Sequence, residues 1–217
     1  MEKDQEWKGY YTYYLSEAGI RNVSPLTLLD AWWYDGQTTA NIVLPYLTRS
    51  SDVLEIACGI GRVSRFIAPH CRQLHCADIL DEALAEAKVQ LNAFGNVSFE
   101  KINGYDLSVY ASEIFDCVYS FTAFFHFDFE LVVSYFADIK RVLRPHGIAV
   151  TEFKQWKDKR DVRQLLDKIE HQGGLEIYHA ELDKWRSVSK EMLAILCDFY
   201  DLEVVNPDVT KFTFRKR

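Results

Sequence analysis

The sequence predicts an α/β fold: a doubly wound, seven-stranded, mostly parallel sheet with an antiparallel C-terminal hairpin and a helical N-terminal extension. Three observations carry this expectation. From Asp52 onward, short apolar runs alternate with amphipathic helical stretches, which implies βαβ units and a parallel sheet covered on both faces. The first of these runs enters a glycine turn, Gly59-Ile60-Gly61, that opens a helix. The two closing runs, 202–205 and 211–214, are separated by a few residues around Pro207-Asp208, too few for a parallel crossover, so they should pair as a hairpin.

Taken in order, residues 1–48 read as a helical cap rich in aromatics, with Trp7, Tyr10, Tyr11, Tyr13, Tyr14, Trp32, Trp33 and Tyr34. Residues 49–217 read as one structural unit. Strands are expected at 53–57, 73–77, 97–101, 115–121 and 148–153, with a turn at Pro145-His146-Gly147 before the last of these. Helices are expected at about 61–68, 81–94, 129–143 and 158–172. Ser189 has the chemistry of an N-cap for a further helix ending near Tyr200.

Composition bounds the function. With 217 residues, 48% of them apolar, the chain can bury a sizeable core, and global disorder is excluded. A net charge of −7 makes it a poor clamp for a nucleic-acid backbone, and Arg215-Lys216-Arg217 is a short basic run that a solvated strand end explains. The five cysteines are scattered without a CxxC pair, so they read as reduced thiols in a cytoplasmic protein rather than as a disulfide or zinc framework. No signal peptide is visible at the N-terminus, and no apolar stretch approaches the ~20 residues of a membrane span. The expected partner is a small-molecule substrate, with no nucleic acid and no membrane, for a monomer or homodimer.

The motifs that carry chemistry follow the strands. In Val53-Leu54-Glu55-Ile56-Ala57-Cys58-Gly59-Ile60-Gly61-Arg62, the glycines allow a sharp bend and close ligand approach, and the helix start favours a carboxylate or phosphate. Glu55, acidic inside an apolar strand, either orients the loop or binds an ammonium group through water. Asp78 ends the second strand, 19 residues after Gly59, where a carboxylate accepts both hydroxyls of a ribose or else caps the helix near Asp81. Ile102-Asn103-Gly104-Tyr105-Asp106-Leu107 either reads an adenine edge or is an ordinary Asn-Gly turn. His126, after the fourth strand and among Phe124, Phe125, Phe127 and Phe129, is the candidate general base, with a structural histidine as the alternative. Arg62 either reaches an anionic substrate or makes a salt bridge.

Taken jointly, Glu-x-Ala-Cys-Gly-x-Gly-Arg, the strand-terminal Asp, Asn-Gly-x-Asp-Leu, Phe-Asp-x-x-x-Ser and Arg-Val-Leu-Arg-Pro-x-Gly resemble the class I S-adenosylmethionine-dependent methyltransferases. The likeness is to the small stand-alone bacterial type, in which a Trp and a Gly precede the first strand. It covers residues 32–154 in detail. The resemblance implies S-adenosylmethionine as cofactor and O- or N-methylation of a small polar molecule. It implies that Glu55, Ala57, Cys58, Gly59 and Gly61 hold the methionine part, with Trp33 and Gly36 nearby. Asp78 with Ile79 would bind the ribose, Asn103, Gly104 and Tyr105 would flank adenine, and Ser120 and Phe121 would line the methyl-transfer zone. Ala57 stands where the family has Gly, and is expected to tolerate the same backbone conformation. Asn103 replaces Asp and His146 replaces Gly. Two other readings share the glycine turn and Asp78. A nicotinamide-dependent oxidoreductase is opposed by Ser64, where a third small Gly or Ala is wanted. A non-catalytic cofactor-binding or scaffold protein is permitted by Ala57 and Asn103.

Overall fold

The structure is a computed structural model that describes residues 2–32, 35–155, 158–171 and 185–217. Seven strands form one sheet in the order β3-β2-β1-β4-β5-β7-β6. These are β1 (Asp52–Ile56), β2 (Gln73–Asp78), β3 (Val97–Lys101), β4 (Phe115–Ser120), β5 (Leu143–Thr151), β6 (Leu202–Asn206) and β7 (Phe212–Lys216). The first five pair in parallel, and β7 runs antiparallel between β5 and β6. Strand order reverses between β1 and β4, so the carboxyl ends of these two strands open a crevice where a doubly wound sheet binds its ligand.

The N-terminal region is helical, as the aromatic-rich pattern predicts, with α1 (Glu2–Arg21), α2 (Pro25–Trp32) and α3 (Gly36–Val43). Asp35 caps α3 by accepting the amides of Gln37 and Thr38. The sheet is covered by α4 (Ser64–Ile67), α5 (Asp81–Gln90), α6 (Phe129–Val142) and α8 (Lys190–Phe199), and α7 (Lys159–His171) follows β5. Ser189 caps α8 by accepting the Met192 amide, as its sequence position implies. Two core clusters flank the sheet. Leu54, Val118, Phe136 and Phe214 belong to one, and Val53, Cys117, Tyr119 and Val150 to the other. Neighbouring residues of β1 and β4 thus alternate between clusters, the period-2 signature of a strand buried on both faces.

Several boundaries differ from expectation. Helix α4 is a single turn followed by a 3₁₀ segment at Ala68–His70, because Gly59 to Val63 spend their residues on the ligand loop. Pro145-His146-Gly147 lies within β5 rather than before it, with His146 at φ 65 and a register shift between Phe115 and Cys117 on the partner strand. Strand β7 begins one residue later and runs two further than the apolar pattern indicates, because Arg215 and Lys216 continue its ladder with β5 and β6 and pair with Glu203 and Glu113. At the end of the sheet opposite the crevice, Arg144 spans the carboxylates of Asp52 and Asp116 at 2.8 and 2.6 Å. This bridge explains the Arg-Val-Leu-Arg pattern structurally. Among the described residues no helix is long and apolar enough to cross a membrane, and all five cysteines are buried free thiols.

Candidate active site

Two cavities open at the carboxyl ends of β1, β2 and β4. The larger, about 130 Å³, is walled by Asp78, Ile79, Leu80, Ile102 and Gly104 on one side and by Phe127 and Tyr135 on the other. The smaller, about 90 Å³, is walled by Cys58, Gly59, Ile60, Arg62, Tyr14 and Leu29. Tyr11, Ala57, Thr122 and His126 line both and form the seam between them.

Asp78 organises the loop. Its Oδ2 accepts the Gly59 amide at 2.9 Å and its Oδ1 accepts the Leu80 amide at 3.0 Å. Burial raises its pKa above the usual carboxylate value, and the amides of Gly59 and Leu80 oppose that rise. It does not cap α5, whose N-cap position is Leu80. Glu55 is fully buried and accepts hydroxyls from Ser64 and from Tyr119, the latter at 2.7 Å. Burial pushes it up to about 7 despite those donors and the nearby Arg62 guanidinium. Glu55 therefore anchors β1, the turn after it and β4 from inside.

The glycine turn is tight for two reasons. Gly59 has φ 54, and the Tyr11 hydroxyl of α1 stands 2.6 Å from where a Gly59 Cβ would be. Ala57 has φ 58, in the left-handed region. Ala57 thus adopts a conformation that suits the family's Gly, as the sequence reading allows, and a residue with a Cβ is strained there by about 1 kcal/mol. Across the crevice Thr122 has the same φ, 58, and its amide donates to Oε2 of Glu152 at 2.8 Å. Two non-glycine residues in left-handed conformation therefore face the seam.

The other expected residues are distributed unevenly. Gly104 (φ 81) lines the larger cavity, and a Cβ there would press on Ile79. Asn103 folds its Oδ1 back to accept the amides of Tyr105 and Asp106 at 2.7 and 3.0 Å, the turn-forming alternative, and its side chain also hydrogen-bonds the Asp106 carboxylate. Tyr105 is more than half exposed and lines neither cavity. Ser120 donates to the Ile56 carbonyl at 2.9 Å, and Phe121 packs near Tyr119 in the core, so this segment reaches the cavities through the next two residues, Thr122 at the seam and Ala123 in the larger cavity. Gly36 is pressed against the Arg62 carbonyl and the Phe66 ring, donates to Asp30 and lines neither cavity. Gly61 has φ 87 and packs on Leu91. Trp33 lies outside the described residues.

His126 is buried and sits on a 3₁₀ turn, Phe124–His126, held from outside. The Arg186 backbone amide donates to the Phe125 carbonyl at 2.7 Å. Its guanidinium reaches the His126 carbonyl and the Asp128 carboxylate. Glu152 and Arg186 were not given a role in the site by sequence reasoning, since each meets it from a distant segment, whereas Tyr11 belongs to the aromatic-rich cap and Thr122 is the neighbour of Phe121.

Comparison with known proteins agrees with this geometry. Residues 53–147 match the methyltransferase domain family. A 55-residue segment is 40% identical to an uncharacterised RNA methyltransferase of Halalkalibacterium halodurans, covering 24% of this chain and only 12% of that protein. Among solved structures, a putative methyltransferase from Bacillus halodurans superposes with a TM-score of 0.62 at 18% identity, covering 77% of this chain and 69% of that one. An S-adenosylmethionine-dependent methyltransferase of Methanosarcina mazei gives 0.62 at 20% identity, over 81% and 96%. The N-methyltransferase NodS of Bradyrhizobium japonicum gives 0.58 at 17%, over 83% and 93%. The stretch 53–147, which holds the glycine turn and the strand-terminal carboxylate within the observed strand order, is thus similar to the methyltransferase domain family.

Proposed function

We propose that the protein transfers the methyl group of S-adenosylmethionine to an oxygen or nitrogen of a small polar acceptor. The observation that carries this is the pair of cavities meeting at Tyr11, Ala57, Thr122 and His126, with a buried carboxylate in one and the glycine turn in the other. The residues fit the cofactor. Asp78 would hold the ribose hydroxyls, because its oxygens already face the loop that carries the ligand. Gly104 and Ile79 would flank the adenine, with the turn formed by Asn103 and Tyr105 beside it. Ala57, Cys58, Gly59 and Ile60 would bound the methionine part.

The cofactor supplies a methyl group already activated on a sulfonium, so the protein's work is alignment and proton removal. The seam is where sulfur and acceptor would meet. Phe127 and Tyr135 exclude water from one side and Tyr11 covers the other. His126, on the turn whose carbonyls Arg186 holds, would take the acceptor's proton. Residues 1–48 would serve as the cap over this crevice, with Tyr11 resting on Gly59 and Lys8 of α1 paired with Glu82 of α5.

The test is calorimetry with S-adenosylmethionine, S-adenosylhomocysteine and NAD, followed by methyl-transfer assays on a panel of small alcohols and amines. Binding of the two adenosyl ligands without NAD, and methylation of at least one acceptor, is expected. Binding of NAD instead would overturn the reading. Binding without any transfer across the panel would reduce it to cofactor binding alone.

A further inference from the structure

We propose that helix α7 is a self-association surface, on which a second copy of this chain docks its own α7, antiparallel, about a two-fold axis passing between Leu165 and Leu166. The helix carries Val162, Leu165, Leu166 and Ile169 at the i, i+3, i+4 and i+7 spacing that makes one apolar stripe, yet none of its residues is buried. Val162 is 50% and Leu166 47% exposed. A different face of α7 meets its own chain. Lys154 Nζ donates to Oε1 of Gln164 at 3.4 Å, and the Lys168 ammonium lies 5.2 Å from the centre of the Trp185 ring. An apolar stripe left on the outside of a helix marks an interaction surface.

The spacing of the stripe and the charges beside it name the occupant. The stripe is symmetric about its midpoint. A second α7 turned end for end sets Val162 against Ile169, and Leu165 against Leu166, of the other copy, in both directions, as an isologous interface requires. Lys159, Arg163 and Glu170 follow one another at four and seven residues, so they lie along one edge of that stripe. All three are exposed, and none of them has an ion pair within the chain among the described residues. The edge is therefore basic at its N-terminal half and acidic at its C-terminal half. In the antiparallel arrangement Glu170 of one copy comes level with Asp161 of the other, between its Lys159 and Arg163, and this contact occurs twice. A parallel arrangement would set like charges side by side instead. A lipid surface favours a basic polar face, whereas acids and bases are interspersed around α7, with Asp161 and Asp167 beside Arg160 and Lys168.

The experiment is sedimentation equilibrium over a range of protein concentrations. It is run on the wild type, Leu166→Asp, the double variant Lys159→Glu/Arg163→Glu, and Glu170→Arg, with far-UV circular dichroism to show that each is folded. The wild type should dimerise, and Leu166→Asp should raise the dimer Kd roughly ten-fold or more, as loss of a central anchor does. Each charge variant carries one sign along the whole edge, so it should repel its own copy and self-associate more weakly, the more so at low salt. An equimolar mixture of the two charge variants should dimerise again, because every edge contact then joins opposite charges. That recovery is specific to the antiparallel α7 pair and does not depend on Leu166→Asp folding. A monomeric wild type, a dimer indifferent to these substitutions, or a mixture no more associated than its parts overturns the proposal. A monomeric wild type that sediments with vesicles of phosphatidylcholine and phosphatidylglycerol also overturns it, and assigns the stripe to a lipid surface.

Discussion

The Gly59 amide donates to Oδ2 of Asp78 at 2.9 Å, joining the glycine turn to the end of the neighbouring strand. One carboxylate thereby shapes the loop and faces the cavity it encloses. Ligand affinity and loop order are coupled through it.

Asp78→Ala should therefore weaken S-adenosylhomocysteine binding by about 2–4 kcal/mol, since hydrogen bonds to a charged acceptor are lost along with loop support. Asp78→Asn, which keeps one acceptor oxygen, should lose less. Calorimetry on both variants checks this, and unchanged affinity in Asp78→Ala would remove the residue from the site.

Ala57→Gly tests the strained turn. Glycine relieves about 1 kcal/mol of left-handed strain and gives back part of it through unfolded-state entropy. A net gain of about 0.5 kcal/mol is expected, visible as a rise of one or two degrees in Tm, on the order expected for a chain of this size. A lower Tm would show that the Ala57 methyl packs more than it strains. The opposite substitution, Gly59→Ala, collides with the Tyr11 hydroxyl and should destabilise.

Glu55 gives a pH dependence. Burial raises its folded pKa from 4.5 to about 7. The folded state then holds a proton that the unfolded state has released across that interval, so stability falls as pH rises from about 4.5 to about 7. The contribution is of order 1–3 kcal/mol. Urea unfolding of wild type and Glu55→Gln at pH 5 and pH 8 should show a smaller pH slope in the variant. Identical slopes would mean that Glu55 is ionised throughout.

His126→Gln should lower methyl transfer roughly 10²-fold if the imidazole removes the acceptor's proton. Affinity for S-adenosylhomocysteine should stay as it is, because the Arg186 clamp acts on the backbone of this turn. Turnover within a few-fold of wild type would leave alignment as the source of the rate.

The sheet was legible because its strands carry period-2 or continuous apolar patterns with sharp breaks, and β3 is found at the residues the pattern indicates. The Gly59 turn and Asp78 were legible because both sit at strand ends, where topology alone places them together. Ser120 and Thr122 were harder. Alternation says that neighbours point oppositely, but Thr122 leaves the strand in a left-handed turn, and the partner that holds it, Glu152, is 30 residues away. Asn103 shows a different limit, since the same Asn-Gly pair suits a turn and a ligand contact, and the side-chain oxygen settles on the turn. Tyr11 reaches Gly59 only through the packing of α1, which no local signal encodes.

The bridge between Lys154 and Ser187, with the Val188 amide on the Lys154 carbonyl, brings the two ends of the intervening segment to one spot. The segment between them therefore begins and ends at one place, next to Arg186, which donates to the Phe125 and His126 carbonyls. Changing its length alters loop-closure entropy only logarithmically, about 0.6 kcal/mol per doubling. A change in the number of residues between the two ends should therefore cost the fold little, so long as Lys154, Arg186 and Ser187 are kept.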